Sequence, residues 1–301
     1  MSSPELSSFI ERSRTEVPVP GGELHVACWG HEAAPVVLAI HGVTASSMSL
    51  RPVARQLAGS RNLVAPDLRG RGASASLPGP VGMEAHARDC AVVIEAFAPG
   101  PVVVLGESMG AYVAIALAAA RPDVVERLVL VDGGLPLPVP EQFGPQPDLD
   151  AVILATIGPA LTRLATVYPS REAYLDFWRA HPAFQHDWNA DVEAYLDYDL
   201  HPVEGGYRSR VSEAAVREDS RDLLASGAVA ARLELVHVPV HLLRAPRDLL
   251  DRPAPLLPEP VVDEWRRRLP NLSTELVEDV NHYSLMFGPR GARLIAERLL
   301  T

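Results

Sequence analysis

A pentapeptide in the first half of the chain places a serine between two glycines. It reads Gly106, Glu107, Ser108, Met109 and Gly110. A short apolar run precedes it, and an apolar helical pattern follows it, so it lies in a strand–turn–helix context. Side chains two positions before and after the serine would collide in so tight a turn, so glycine is expected at both. The pattern therefore predicts that Ser108 is a nucleophile at the end of a buried strand.

A serine hydroxyl is a weak nucleophile at neutral pH and needs a general base. His282 follows the last predicted strand, 274–277, and it is the only histidine after His241. A single histidine is more often structural, but a position directly after a strand that ends the sheet favours a catalytic role. We therefore expect His282 to take the proton from Ser108.

The base also needs a carboxylate to orient it. In enzymes with this nucleophilic turn, the acid lies between the serine and the histidine in the chain. Asp248 is preferred because it is the aspartate nearest to the end of the predicted strand 238–243. Asp251 in the same loop and Asp132 at the end of the predicted strand 128–131 remain alternatives.

Acyl transfer also needs two N–H donors for the negatively charged oxygen of the tetrahedral intermediate. The amide of Met109, directly after the serine, is one expected donor. The other is expected from Val43, in the loop after the apolar run 36–40, where Gly42 allows close approach of the backbone. His41 in this loop is interpreted as a structural histidine.

Short, continuously apolar runs alternate with helical patterns along most of the chain. Such runs are typical of strands buried on both faces of a parallel sheet, so the fold class is α/β. This alternation is interrupted between residues 135 and 236, where proline-rich sequence and helical patterns occur without a convincing buried strand. This segment is interpreted as a helical lid inserted between two strands.

Composition excludes several other classes. The net charge of −11 and the lack of a long basic run disfavour binding to nucleic acid or to an anionic membrane. No lysine is present, which excludes Schiff-base and Ser–Lys chemistry. No secretion signal, metal-binding motif or apolar run of about 18 residues is found. Cys28 and Cys90 are interpreted as small, buried apolar residues. We expect a cytoplasmic protein without metal or cofactor.

Four segments in this order resemble the α/β-hydrolase superfamily. They are His41–Gly42, Asp67–Ser74, Gly106–Gly110 and Asn281–His282. The resemblance implies a mostly parallel eight-stranded sheet flanked by helices, with a helical lid between strands 6 and 7. The core domain is then 1–134 with 237–301, and the cap is 135–236.

The same resemblance implies particular site residues. Ser108, Asp248 and His282 would form the triad, and the amides of Val43 and Met109 would form the oxyanion hole. The family's acid commonly follows a Gly-x-x sequence, whereas residues 245–247 here are Ala-Pro-Arg, which keeps Asp251 open.

Carboxylic ester or lactone hydrolysis through a Ser108 acyl-enzyme is the predicted reaction, on a small and largely apolar substrate. Carbon–carbon bond hydrolysis, thioester hydrolysis and perhydrolysis on the same scaffold are the alternatives. A further hypothesis is a binding protein without catalytic turnover, which the apparently complete triad disfavours. The sequence leaves the natural substrate and the oligomeric state undetermined.

Overall fold

The computed structural model describes residues 11–57, 59–139, 141–144 and 147–301. Eight strands form one sheet in the order β1-β2-β4-β3-β5-β6-β9-β10 within these residues. Strands β1 and β2 are antiparallel to their neighbours, and the strands from β4 to β10 along this order are parallel. The strands are Glu11–Val19 (β1), Gly22–Trp29 (β2), Val36–Ile40 (β3), Asn62–Pro66 (β4), Val102–Glu107 (β5), Val125–Val131 (β6), Leu200–Val203 (β7), Gly206–Ser209 (β8), Val240–Arg244 (β9) and Leu272–Leu276 (β10).

Helices cover the sheet and fill the segment between β6 and β9. They are Arg51–Leu57 (α1), Met83–Phe97 (α2), Met109–Ala120 (α3), Leu149–Ala165 (α4), Arg171–Arg179 (α5), Ala190–Asp199 (α6), Glu213–Leu224 (α7), Ser226–Glu234 (α8), Glu259–Arg268 (α9), Ser284–Phe287 (α10) and Pro289–Leu300 (α11). None of the helices within the described ranges combines the length and apolar character needed to cross a membrane.

Alternate side chains of the central strands enter two separate apolar clusters. In β3, Leu38 and Ile40 join a cluster with α2 and α3, whereas Val37 and Ala39 join a second cluster with α1 and α11. Because both faces are covered, β3 is apolar at every position, and the neighbouring central strands are mostly apolar. The sheet therefore has the predicted α/β-hydrolase architecture, with the carboxyl ends of β3, β5, β6 and β9 side by side.

The segment between β6 and β9 contains α4 to α8, together with one element that the sequence analysis did not predict. Strands β7 and β8 form a short antiparallel hairpin. Its strands are only partly buried, so they lack the apolar run that identifies a buried strand. Helix α8 packs Val229 and Leu233 into the same cluster as α2 and α3. The limits of the cap at 135 and 236 stay a prediction.

Candidate active site

The turn around Ser108 has the strained geometry expected from its two glycines. Ser108 lies between β5 and α3 with φ 53° and ψ −118°, a conformation that costs energy for any residue with a side chain. A Cβ atom on Gly106 would lie 2.5 Å from the Gly110 carbonyl oxygen, and one on Gly110 would lie 2.1 Å from the Ile40 carbonyl oxygen. Both glycines are therefore required by close backbone contacts.

His282 is buried in the loop after β10, and its hydrogen bond is made to Asp132. The distance from His282 Nδ1 to Asp132 Oδ2 is 2.7 Å. Asp132 follows β6 directly, at φ 47°, and its other oxygen accepts the Ala245 N–H at 3.2 Å. A Cβ atom on the next residue, Gly133, would lie 2.4 Å from the Ser108 carbonyl oxygen. Asp132 is thus held directly beside the serine turn.

Asp248 does not have the position that the sequence analysis preferred for it. Its Oδ1 accepts the N–H groups of Leu250 and Arg252 at 2.8 and 3.0 Å, and its Oδ2 accepts the Arg252 side chain at 2.8 Å. Burial would raise the pKa of Asp248, but these hydrogen bonds from Arg252 and Leu250 bring it below the usual value. The expectation that Asp248 lies against the histidine is therefore corrected: the carboxylate hydrogen-bonded to His282 is that of Asp132, because the loop after β9 turns Asp248 toward its own arginine.

Asp251, the second alternative, supports the backbone ahead of His282. It has φ 62°, it accepts the Asn281 side-chain amide at 2.9 Å, and it pairs with Arg247 at 3.2 Å. The Arg247 carbonyl in turn accepts the His282 N–H at 3.1 Å. The loop after β9 therefore holds the histidine loop through its backbone, while β6 supplies the carboxylate for the imidazole ring.

A second carboxylate also faces His282. Glu107, at the end of β5, places Oε1 3.6 Å from His282 Nε2, and its side chain is only 10% exposed. Burial alone would lower the pKa of His282, but Asp132 and then Glu107 and Asp248 raise it above the ordinary value. Sequence reasoning assigned Glu107 no role. The sequence feature that could have pointed to Glu107 is its charge, next to Ser108 in a turn that is otherwise uncharged and predicted to be buried.

The expected oxyanion loop is held from behind by a buried arginine. Arg71 Nε and Nη2 donate to the Val43 carbonyl at 3.0 and 2.9 Å, and Nη2 lies 3.9 Å from the Met109 sulfur. The same guanidinium forms an ion pair with Asp219 of helix α7. Both side chains are completely buried. The segment between β6 and β9 is therefore tied to the loop that carries Val43.

His41 stabilises this loop in its neutral form. Its Nδ1 lies 2.8 Å from the Gly42 carbonyl oxygen, and its Nε2 accepts the Leu68 N–H at 3.1 Å. Burial lowers the pKa of His41 to about 4. With both ring nitrogens engaged, His41 is a structural histidine of the loop.

Ser108, His282 and Glu107 line one small cavity of about 40 Å³, with Val43, Tyr195 and Phe287 among its other walls. Tyr195 of helix α6 closes one side and donates to the Thr44 carbonyl at 3.3 Å.

Within the described part of the chain, no group of three or more histidine, cysteine, aspartate or glutamate side chains is arranged to hold a metal ion. At the carboxyl edge of the sheet, Ser108 and His282 line one cavity, and the imidazole is hydrogen-bonded to Asp132.

The chain matches the family model described as the alpha/beta hydrolase family over residues 36–297. It is 40% identical to lipase LipV of Mycobacterium tuberculosis over 115 residues, which are 38% of this chain and 43% of the lipase. It is 27% identical to a 2-(acetamidomethylene)succinate hydrolase of Mesorhizobium japonicum over 83% of this chain and 82% of that enzyme. A crystal structure of E-2-(acetamidomethylene)succinate hydrolase superposes with a TM-score of 0.76 at 22% identity, covering 97% of both chains.

The range matched by the family model contains every site residue described above. The chain belongs to the alpha/beta hydrolase family. Hydrolysis is the activity shared by its named relatives.

Proposed function

We propose that the protein is a serine hydrolase that cleaves a carboxylic ester or lactone through a covalent acyl-enzyme on Ser108. The observation that carries the proposal is the 2.7 Å hydrogen bond from His282 to Asp132. The same histidine lines one cavity together with Ser108, whose backbone is strained. Asp132 replaces Asp248 as the proposed acid.

In the proposed first step, the Ser108 hydroxyl attacks the carbonyl carbon while His282 Nε2 accepts its proton. The negative charge on the carbonyl oxygen is stabilised by the N–H groups of Val43 and Met109. His282 then donates the proton to the leaving alkoxide, and the ester bond breaks. Water, activated by the same histidine, releases the acid and restores Ser108. Asp132 keeps the imidazole in the required tautomer throughout.

An apolar substrate is favoured by the walls of the cavity. Val43, Leu249, Met286 and Phe287 line it, and Tyr195 adds an aromatic face. Other aromatic side chains of the segment between β6 and β9 pack in its interior and against the loop after β10: Trp178 contacts Phe184 and Tyr283 edge to face. Helix α6, which carries Tyr195, is therefore proposed to set the size of the acyl or alcohol group.

A fluorophosphonate probe and a chromogenic ester test the proposal together. The wild-type protein should be labelled on Ser108 and should hydrolyse 4-nitrophenyl acetate. Ser108→Ala should abolish labelling and reduce turnover by about a millionfold, to the limit of detection. Ser226→Ala, in helix α8 away from the cavity, is the matched control and should retain both.

Hydrolysis that persists in a folded Ser108→Ala protein would contradict the proposal. Labelling without turnover on any ester would instead favour a binding protein or another reaction. A panel with a thioester, a lactone and a β-diketone then separates ester or lactone hydrolysis from the thioester and carbon–carbon alternatives. Perhydrolysis is tested by adding hydrogen peroxide with acetate.

A further inference from the structure

Glu107 is a buried acid that the proposed triad does not use. Most carboxylates avoid burial unless they are paired. The Glu107 side chain packs against the backbone of the 41–43 loop: a Cβ atom on Gly42 would lie 2.7 Å from Glu107 Oε2. Burial raises the pKa of Glu107, while the charge of His282 and the Gly42 N–H act in the opposite direction and stabilise the carboxylate. The carboxylate is thus held in a fixed position in the cavity wall.

The position of this carboxylate relative to the imidazole ring is informative. Asp132 lies 2.7 Å from Nδ1, and Glu107 lies 3.6 Å from Nε2, so the two acids stand on opposite sides of one ring. A separation of 3.6 Å is longer than a hydrogen bond. Glu107 therefore leaves Nε2 free to exchange a proton with Ser108 and acts on the ring through its charge.

We propose that Glu107 is a second positioning carboxylate, which stabilises the protonated form of His282 from the side opposite Asp132. The proposal rests on the proposed function, in which His282 is the general base. During attack by Ser108 the imidazole gains a positive charge in a site with little water. A fixed negative charge beside it lowers the free energy of that state.

The other charged and titratable groups around this pair are few. His282 faces Asp132 from the end of β6 and Glu107 from the end of β5, and it feels Asp248 from the loop after β9. Glu107 in turn feels Asp132, and its charge acts on Tyr195 and Tyr283. Asp248 is paired with Arg252, whereas Glu107 has no arginine partner among the described residues and lies 3.6 Å from Nε2.

The test is the pH dependence of kcat/KM on 4-nitrophenyl acetate, an uncharged ester, between pH 5 and 9. Glu107→Gln keeps an oxygen for the Gly42 N–H but removes the charge. We expect the rising limb of the pH profile, where His282 loses its proton, to move to lower pH by about one unit. The plateau should fall about tenfold, because a less basic imidazole is also a weaker general base. Glu95→Gln removes a charge from the exposed face of α2 and should change neither quantity.

Glu107→Asp is the second variant, and it keeps the charge on a side chain shorter by one methylene. Its limb should lie between those of the wild type and Glu107→Gln. If Glu107→Gln does not fold, a limb of Glu107→Asp that coincides with the wild type overturns the proposal.

Two further results would also overturn it. One is a pH profile of folded Glu107→Gln whose rising part has the same midpoint as that of the wild type, whether or not the plateau of kcat/KM falls. A purely structural role of Glu107 would lower activity without changing the basicity of His282. The other is an equal shift in Glu107→Gln and Glu107→Asp. Failure of the proposed function itself is distinguishable, because wild-type protein would then not hydrolyse the ester or Ser108→Ala would match it.

Discussion

The carboxyl ends of β6 and β9 lie side by side in the sheet, and each is followed by a buried aspartate. Asp132, after β6, accepts a hydrogen bond from His282 and has no arginine partner among the described residues. Asp248, after β9, is bound by the side chain and the N–H of Arg252. A carboxylate that is already paired within its own turn has its oxygens occupied. What distinguishes the two regions is therefore the partner each acid faces, and not its distance from the end of a strand.

The largest expected effect is on the activity of Asp132 variants. Asp132→Asn should lower kcat on 4-nitrophenyl acetate by about ten-thousandfold, because asparagine can stabilise the wrong tautomer of His282. Asp248→Asn should lower it by less than about tenfold. Asp251→Asn serves as the control from the same loop and should also be mild.

All three variants are measured on one ester, with circular dichroism to check folding. If Asp248→Asn is the crippled variant and Asp132→Asn is nearly normal, the assignment of the two regions is reversed.

For the free energy of unfolding we expect the opposite order, with the larger effect at Asp248 after β9. Asp248→Asn removes the charged acceptor from two backbone N–H groups and from Arg252, so the free energy of unfolding should fall by about 1–3 kcal/mol. Urea unfolding with an unchanged m-value is the measurement.

Asp251→Asn, whose carboxylate is more exposed, is the comparison and should lose less. An Asp248→Asn protein as stable as the wild type would mean that the turn after β9 does not depend on this charge.

The smallest expected effect is a displacement of the pH profile. Only neutral imidazole accepts the serine proton, so activity rises as His282 loses its proton. Because Asp132 and Glu107 raise the pKa of His282, the midpoint of the limb in kcat/KM should lie above the ordinary value of about 6.5.

In Asp132→Asn the residual activity should have its limb at lower pH, and in Asp248→Asn the limb should move little. A wild-type midpoint well below 6.5, with chemistry rate-limiting, would show that burial outweighs the two carboxylates.

Local patterns were sufficient for much of this molecule. Continuous apolar runs predicted the buried strands, since both faces of a parallel sheet are covered. The glycines around Ser108 predicted the tight turn, because the contacts that exclude side chains there lie within the turn and the adjacent β3 end. The hairpin β7–β8 was missed because its strands are half exposed and carry no apolar run.

The choice among the aspartates could not be made from the sequence. Asp132, Asp248 and Asp251 all follow strands that end at the same edge of the sheet, and spacing along the chain does not say which oxygen faces the imidazole. Packing of Gly133 against the Ser108 backbone and the turn closed by Arg252 decided it. Likewise, Glu107 adjoins Ser108 in sequence, but only the approach of the loops after β3 and β10 brings its carboxylate against Gly42 and within 3.6 Å of His282. Local sequence determines conformation over a few residues, whereas the direction of a buried charge depends on groups that only the folded chain brings together.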